Sequence, residues 1–314
     1  MELIMLYGGL SKERNGKQQM MIDGKCTCGY REYAKMFGCI IYLSRQDVKC
    51  DWEYSMTDAQ QVIDFCKKHP EAIVWSVKHD PKKDVILKAI PNKTVYYSCC
   101  NRNMYNNVAD VSLVDTPARL RGNAKIHIKG KDKDYWWDQG DTESIYKPYD
   151  YMLVGKRGDK NEAHFINELT DKVKGKRSVL WVGGTAHKNR IKETHHNVDL
   201  TNFGSMEFVA LSIPLGKIGI LFTEHPAEGF PQTFLEMTMC GLPTIYNISA
   251  PINQAYFYEG VNTFTCKKKH LIAKAEYALK NWSEDKADMC REFAAKNYSL
   301  QVSWQNIKNH LGVK

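Results

Sequence analysis

Two glutamates carry the clearest chemistry in the chain, Glu228 and Glu236, which bracket the segment EGFPQTFLE. Between them Gly229 and Pro231 precede an apolar helical face of Phe234, Leu235, Met237 and Met239. Proline fits the first turn of a helix, where its missing N–H would have no partner anyway, so the pattern predicts a helix starting at 230–233. Such a start aims backbone N–H groups and a partial positive charge outward, and phosphates bind there. Carboxylates do not hold phosphates, so the natural partners of Glu228 and Glu236 are hydroxyl groups. A ligand with a central diphosphate and polyols at both ends satisfies all three groups. A nucleotide sugar has that form.

The surrounding elements explain how these groups are positioned. The run IGILF at 218–222 reads as a strand buried on both faces of a parallel sheet. Gly241 stops the following helix, and PTIY at 243–246 starts the next strand. Strand, loop, helix and strand then repeat the logic found elsewhere in the chain. Strands are expected at 3–6, 39–43, 72–77, 94–98, 149–154 and 178–182, with helices at 58–69, 82–90 and 162–173. Gly8 and Gly9 follow the first strand, and Gly183 and Gly184 follow 178–182; both turns let a ligand approach the backbone closely. His79 stands at the end of a strand, where ligands of open α/β sheets are met, and is a catalytic candidate on that ground. The polar, proline-bounded stretch 138–148 is the best linker and divides the chain into 1–148 and 149–314.

With 314 residues, the chain is long for one domain and suits two, each able to bury its own core. No apolar run reaches membrane-spanning length, and the start MELIMLYGGL enters a glycine turn instead of a cleavable signal, so a cytoplasmic protein is expected. The ten cysteines are scattered, and Cys26/Cys28 and Cys99/Cys100 have no second pair at zinc spacing; reduced thiols are expected, Cys39, Cys66 and Cys240 among them in apolar surroundings. His195 and His196, adjacent in sequence, are expected to diverge as surface residues. The net charge of +8 is spread evenly, +4 on each half, which argues against a dedicated basic arm but favours anionic partners such as nucleotide sugars, DNA or lipid headgroups.

The E-x7-E pattern from Glu228 to Glu236, joined to Gly229, Phe230, Gly241 and Pro243 in CGLPTI, resembles the signature of retaining glycosyltransferases of the GT-B fold. The resemblance implies an α/β architecture of two Rossmann-like domains facing across a cleft. The first, 1–148, would hold the acceptor, with the glycine turn of Gly8 and Gly9 on the cleft; the second, 149–314, would hold the nucleotide sugar. The last helix, carrying Trp304, would pack back on the first domain. In that arrangement Glu236 accepts hydrogen bonds from ribose hydroxyls and Glu228 from sugar hydroxyls near the anomeric carbon. Lys156 or Arg157, together with Lys160 and the helix start at Phe230, Pro231, Gln232 and Thr233, stabilises the diphosphate.

The same resemblance implies retention of anomeric configuration with no cofactor and no metal, so Asp132-Lys133-Asp134 is discounted as a metal motif. Many members carry a cleft histidine where this chain has Cys99 and Cys100, which suggests a donor sugar without a hydroxymethyl group. A hydroxymethylated pyrimidine in DNA is the favoured acceptor, followed closely by a lipid-linked or polysaccharide acceptor. Two readings from other classes stand beside it: a nucleotide-sugar epimerase and a non-catalytic GT-B binding subunit.

Overall fold

A computed structural model of the chain describes residues 1–8, 21–22, 25–26, 30–43, 50–78, 80–97, 106–115, 119–138, 146–155, 162–204, 206–222, 231–246 and 257–314. They form two compact units, Met1–Ile128 with Ser303–Lys314, and Lys129–Val302. The division falls ahead of the polar stretch 138–148.

The first unit is built on β1 (Leu3–Tyr7), the small antiparallel pair β2 (Met21–Ile22) and β3 (Lys25–Cys26), α1 (Tyr30–Phe37), β4 (Gly38–Tyr42), β5 (Glu53–Ser55), α2 (Ala59–Lys68), β6 (Ile73–Val77), α3 (Pro81–Ala89), β7 (Thr94–Tyr97), β8 (Val111–Val114) and β9 (Ala124–Ile126). Seven strands make one sheet in the order β5-β4-β1-β6-β7-β8-β9, every neighbouring pair parallel. Helices start where a side chain can satisfy the first N–H groups. Asp58 Oδ1 accepts from the backbone N–H of Gln60 at 2.8 Å, and Asp80 Oδ1 from that of Lys82 at 3.0 Å, with Pro81 at the first position of α3. β5 has no apolar run to announce it and pairs only as the edge strand beside β4.

The second unit continues with α4 (Lys133–Asp138), β10 (Tyr149–Val154), α5 (Glu162–Lys172), β11 (Ser178–Val182), β12 (Asn197–Thr201), α6 (Met206–Ser212), β13 (Gly216–Leu221), α7 (Gln232–Met239), β14 (Thr244–Tyr246), β15 (Thr263–Thr265), α8 (Leu271–Lys280), α9 (Glu284–Tyr298) and the start of α10 (Leu300–Leu311). Its sheet runs β12-β11-β10-β13-β14-β15, again all parallel. In this doubly wound order the direction of winding reverses between β10 and β13, and between β1 and β6 in the first unit. The core beneath the second sheet includes Tyr151, Phe165, Trp181, Ile220, Ile245 and Leu271. No helix among the described residues is long and apolar enough to cross a membrane.

From Ser303 onward α10 belongs to the first unit. Ser303 Oγ donates to the Ile128 carbonyl at 2.9 Å and lies 3.2 Å from His127 Nε2 and 2.5 Å from Tyr33 Oη, so one buried hydroxyl serves three partners. Trp304 stacks on Phe37 with centroids 5.1 Å apart and donates its indole N–H to Glu2 at 2.8 Å. Cys39 and Cys66 sit in one apolar cluster under the sheet, and burial pushes both thiols up to about 12. Replacing Trp304 with alanine removes the stacked ring and the indole bond together; the variant is expected to lose about 3 kcal/mol in urea unfolding.

Candidate functional site

The helix that carries Glu236 follows β13, the strand at the winding reversal of the second sheet. It starts at Gln232, inside the expected stretch 230–233, with the proline ahead of the first turn and not in it. Pro231 is its cap, in extended conformation with φ −69° and ψ 132°, and the Pro231 carbonyl accepts from Phe234 N–H at 3.1 Å. Proline has no N–H to offer, so the described amide groups at this end are those of Gln232 and Thr233. Gln232 Oε1 is buried and has no hydrogen-bond partner among the described residues. The other end closes as expected: Gly241, at φ 81°, donates to Thr238 O at 3.0 Å while Leu242 N–H donates to Met237 O at 2.9 Å.

Glu236 sits one turn into α7 with its side chain 14% exposed, and its Oε1 lies 2.6 Å from Lys131 Nζ, which is 1% exposed. The Lys131 ammonium also stands 5.3 Å from the centre of the Trp136 ring. Lys131 was not singled out by its sequence context, because its partner lies 105 residues away. The Lys131 N–H donates to Tyr298 O at 2.8 Å and the Lys131 carbonyl accepts from Leu300 N–H at 2.9 Å, so its main chain is pinned on both sides.

The glycines at strand ends serve two different needs. Gly8 and Gly183 have φ 89° and 95°, which side-chain-bearing residues avoid, and Gly183 N–H donates to Thr201 O at 3.0 Å. Gly184 is there for space: a Cβ would fall 2.6 Å from the Trp181 ring. That ring is held by its indole N–H, which donates to the Gly155 carbonyl at 2.9 Å, and it stacks with His187 at 5.7 Å. The ends of β10 and β11 are therefore locked together around Trp181.

Gly183, Gly184, Pro231, Gln232, Thr233 and Glu236 all belong to the second unit, and Gly8 to the first. Gly9, His79, Lys156, Arg157, Lys160, Glu228, Gly229 and Phe230 lie outside the described residues, as do Cys99 and Cys100. The two histidines differ from expectation. Their rings are 4.0 Å apart, and His196 is buried, its Nδ1 accepting from Arg177 N–H at 3.1 Å; the irregular chain ahead of β12 lets adjacent side chains converge. Desolvation holds the His196 imidazole below its ordinary pKa. Asp132 has a structural use, capping α4 by accepting from Asp134 N–H at 3.2 Å.

A buried cation in the first unit also escaped the sequence reading. Lys83 Nζ donates to Val77 O at 2.5 Å, Lys78 O at 3.3 Å and Leu6 O at 3.4 Å, at the carboxyl ends of β1 and β6 where winding reverses. Burial pushes its pKa down to about 7. A cavity of about 480 Å³ lined by Arg177, Glu276, Tyr277, Leu279 and Lys280 lies at the amino end of β11, the opposite edge from α7's start. Its arginine is committed to Glu276, with Nε–Oε1 2.9 Å and Nη2–Oε2 2.5 Å, so this cavity is set aside as a ligand site.

Two outcomes are expected. Gly241→Ala places a Cβ in a left-handed residue and 3.0 Å from the Ala287 carbonyl; a loss of about 2 kcal/mol in thermal unfolding is expected. For Lys83 the folded pKa lies below that of the unfolded chain, so between about pH 7 and pH 10 the unfolded state holds the extra proton and raising the pH favours folding. The stability of the wild type relative to Lys83→Met is therefore expected to rise across that interval, and a flat difference in urea midpoints would count against the burial effect.

No protein-family model matches the chain, and no curated protein sequence matches it. Solved structures do match. A glycosyltransferase from Rickettsia africae superposes with TM-score 0.69 at 15% identity, over 98% of this chain and 97% of that one. HepE of Anabaena in complex with UDP gives 0.64 at 12% identity, over 99% and 100% of the two chains. An alpha-glucosyltransferase in complex with UDP and a 13-mer DNA containing a central A:G mismatch gives 0.65 at 9% identity, over 99% of each. At such identities the likeness is one of fold, and the fold of this chain is the α/β, two-sheet GT-B fold.

Proposed function

We propose that the chain is a retaining glycosyltransferase that moves a sugar from a nucleoside-diphosphate sugar to a hydroxyl acceptor, the favoured acceptor being a hydroxymethylated pyrimidine base in DNA. The observation that carries this reading is α7: a helix start following the strand at the winding reversal, with the partly buried carboxylate of Glu236 one turn behind it. Helix amides suit a phosphate and the carboxylate suits a diol, in the order a nucleoside diphosphate presents them. The likeness to structures that hold UDP, one of them also holding DNA, supports the same reading.

In this mechanism Glu236 takes the ribose hydroxyls and Glu228 the hydroxyls of the transferred sugar. Lys156 or Arg157, with Lys160 and the Gln232 and Thr233 amides, offsets the charge that grows on the diphosphate as the glycosidic bond breaks. The acceptor oxygen bonds to the anomeric carbon on the face from which the diphosphate departs, and the departing phosphate oxygen takes the acceptor's proton, so the anomeric configuration is retained. His79 is kept as a catalytic candidate from the first domain. A DNA acceptor fits the net charge of +8, and its target base must be reached in the groove or turned out of the stack.

A panel of UDP-, GDP- and ADP-sugars, read as thermal stabilisation and as release of free nucleotide with and without hydroxymethylated DNA, tests the proposal. DNA-dependent release from one donor is the expected result. Donor binding without it moves the acceptor to a lipid-linked or polysaccharide hydroxyl, and donor conversion without any acceptor indicates an epimerase. Glu228→Ala is expected to lower turnover by about a hundredfold or more while shifting the melting temperature little, and undiminished transfer would refute its role.

A further inference from the structure

Lys131 is the most deeply buried charged group touching the signature helix, and nothing in the signature calls for it. Its Nζ lies 2.6 Å from one oxygen of Glu236, Oε1. Among the described residues the other oxygen, Oε2, has no hydrogen-bond partner. A carboxylate on a three-bond side chain rotates freely unless something holds it. Here one oxygen is held by a charge-assisted bond to an ammonium that is itself 1% exposed and backed by the Trp136 ring. The Lys131 main chain is bonded to the 298–300 segment through both its N–H and its carbonyl, which fixes where the side chain starts. One carboxylate oxygen is thus engaged inside the unit, and no described residue takes the second.

We infer that Lys131 is the positioning residue of the donor site: it fixes the Glu236 carboxylate by Oε1 so that Oε2 meets the ribose hydroxyls of the nucleoside diphosphate. This rests on the glycosyltransferase reading above and adds a residue that acts through Glu236 without touching the ligand itself. Pre-orientation matters because a flexible carboxylate must give up rotamer freedom on binding, and a held one has already done so.

The test compares wild type, Lys131→Met, Glu236→Gln and the double variant by calorimetric titration with UDP, GDP and ADP, and then with the 2′- and 3′-deoxy forms of whichever binds. The wild type is expected to prefer the ribonucleotide about tenfold or more. That preference is expected to collapse in Lys131→Met although Glu236 is intact, with the double variant no worse than either single one, as coupling through one contact requires. With donor sugar, KM is expected to rise in Lys131→Met more than kcat falls.

A lysine with only a structural role lowers the melting temperature and leaves the ribose preference unchanged; that outcome overturns the inference and leaves the proposed function standing. A wild type that binds nucleotide with no ribose preference also overturns it, through Glu236. Failure of all three nucleotides to bind overturns the proposed function and the inference together. If Lys131→Met does not fold, Lys131→Gln, which keeps an N–H donor and removes the charge, is read by the same ribose preference.

Discussion

In an all-parallel sheet every strand ends on the same edge, and both faces must be covered by helices. The rest of this structure depends on that constraint. Within each unit the strands of the sheet end on one edge, seven in the first and six in the second among the described residues, so the loops and helix starts at that edge are gathered without any need for them to be close in sequence. The amino edge is left to structural duties such as the Arg177–Glu276 pair, which also receives the Tyr151 hydroxyl at 2.6 Å.

Gathering strand ends creates an electrostatic problem, since carbonyl oxygens converge where the strands stop. In the first unit a buried lysine answers it, and a second buried lysine in the other unit meets a different acceptor. Lys83 spends its donors on three main-chain carbonyls and so serves the fold. Lys131 instead donates to the side-chain carboxylate of Glu236. Both are 1% exposed, and neither would be tolerated there without acceptors in reach, because an unpaired buried ammonium costs several kcal/mol.

The fold alone does not name a substrate, since one architecture supports many chemistries. The proposed function therefore leans on the type of residue at a given place, a helix start whose amides suit an anion and, one turn behind it, a carboxylate that suits hydroxyls. The glycines tighten the same edge. Gly184 leaves room for the Trp181 ring and Gly183 turns the chain, so the ends of β10 and β11 are held as one rigid lip beside the winding reversal.

Most of the regular elements were legible in the sequence because their signals are local. Apolar runs such as IGILF and SVLWV read as buried strands, and Asp58 and Gly241 mark the ends of α2 and α7 through bonds to residues two or three positions away. The doubled sheet and the helix carrying Glu236 followed from that punctuation, and the resemblance built on it pointed to the right fold. β5 was missed because an edge strand of three residues has no periodicity to read. The start of α7 falls in the expected stretch, but proline suits either a cap or a first turn, and only the main-chain angles show that Pro231 is the cap. His196 and Lys131 were misjudged or overlooked for a deeper reason: burial and pairing depend on which distant segments the sheet order brings alongside. The sequence by itself determined the α/β class, the helix stops and the candidate carboxylates, since these follow from side-chain periodicity and backbone preference over a few residues. Only the tertiary structure decided that Glu236 has a buried lysine for a partner, because that contact joins residues 105 apart in the chain and exists only once the unit has folded.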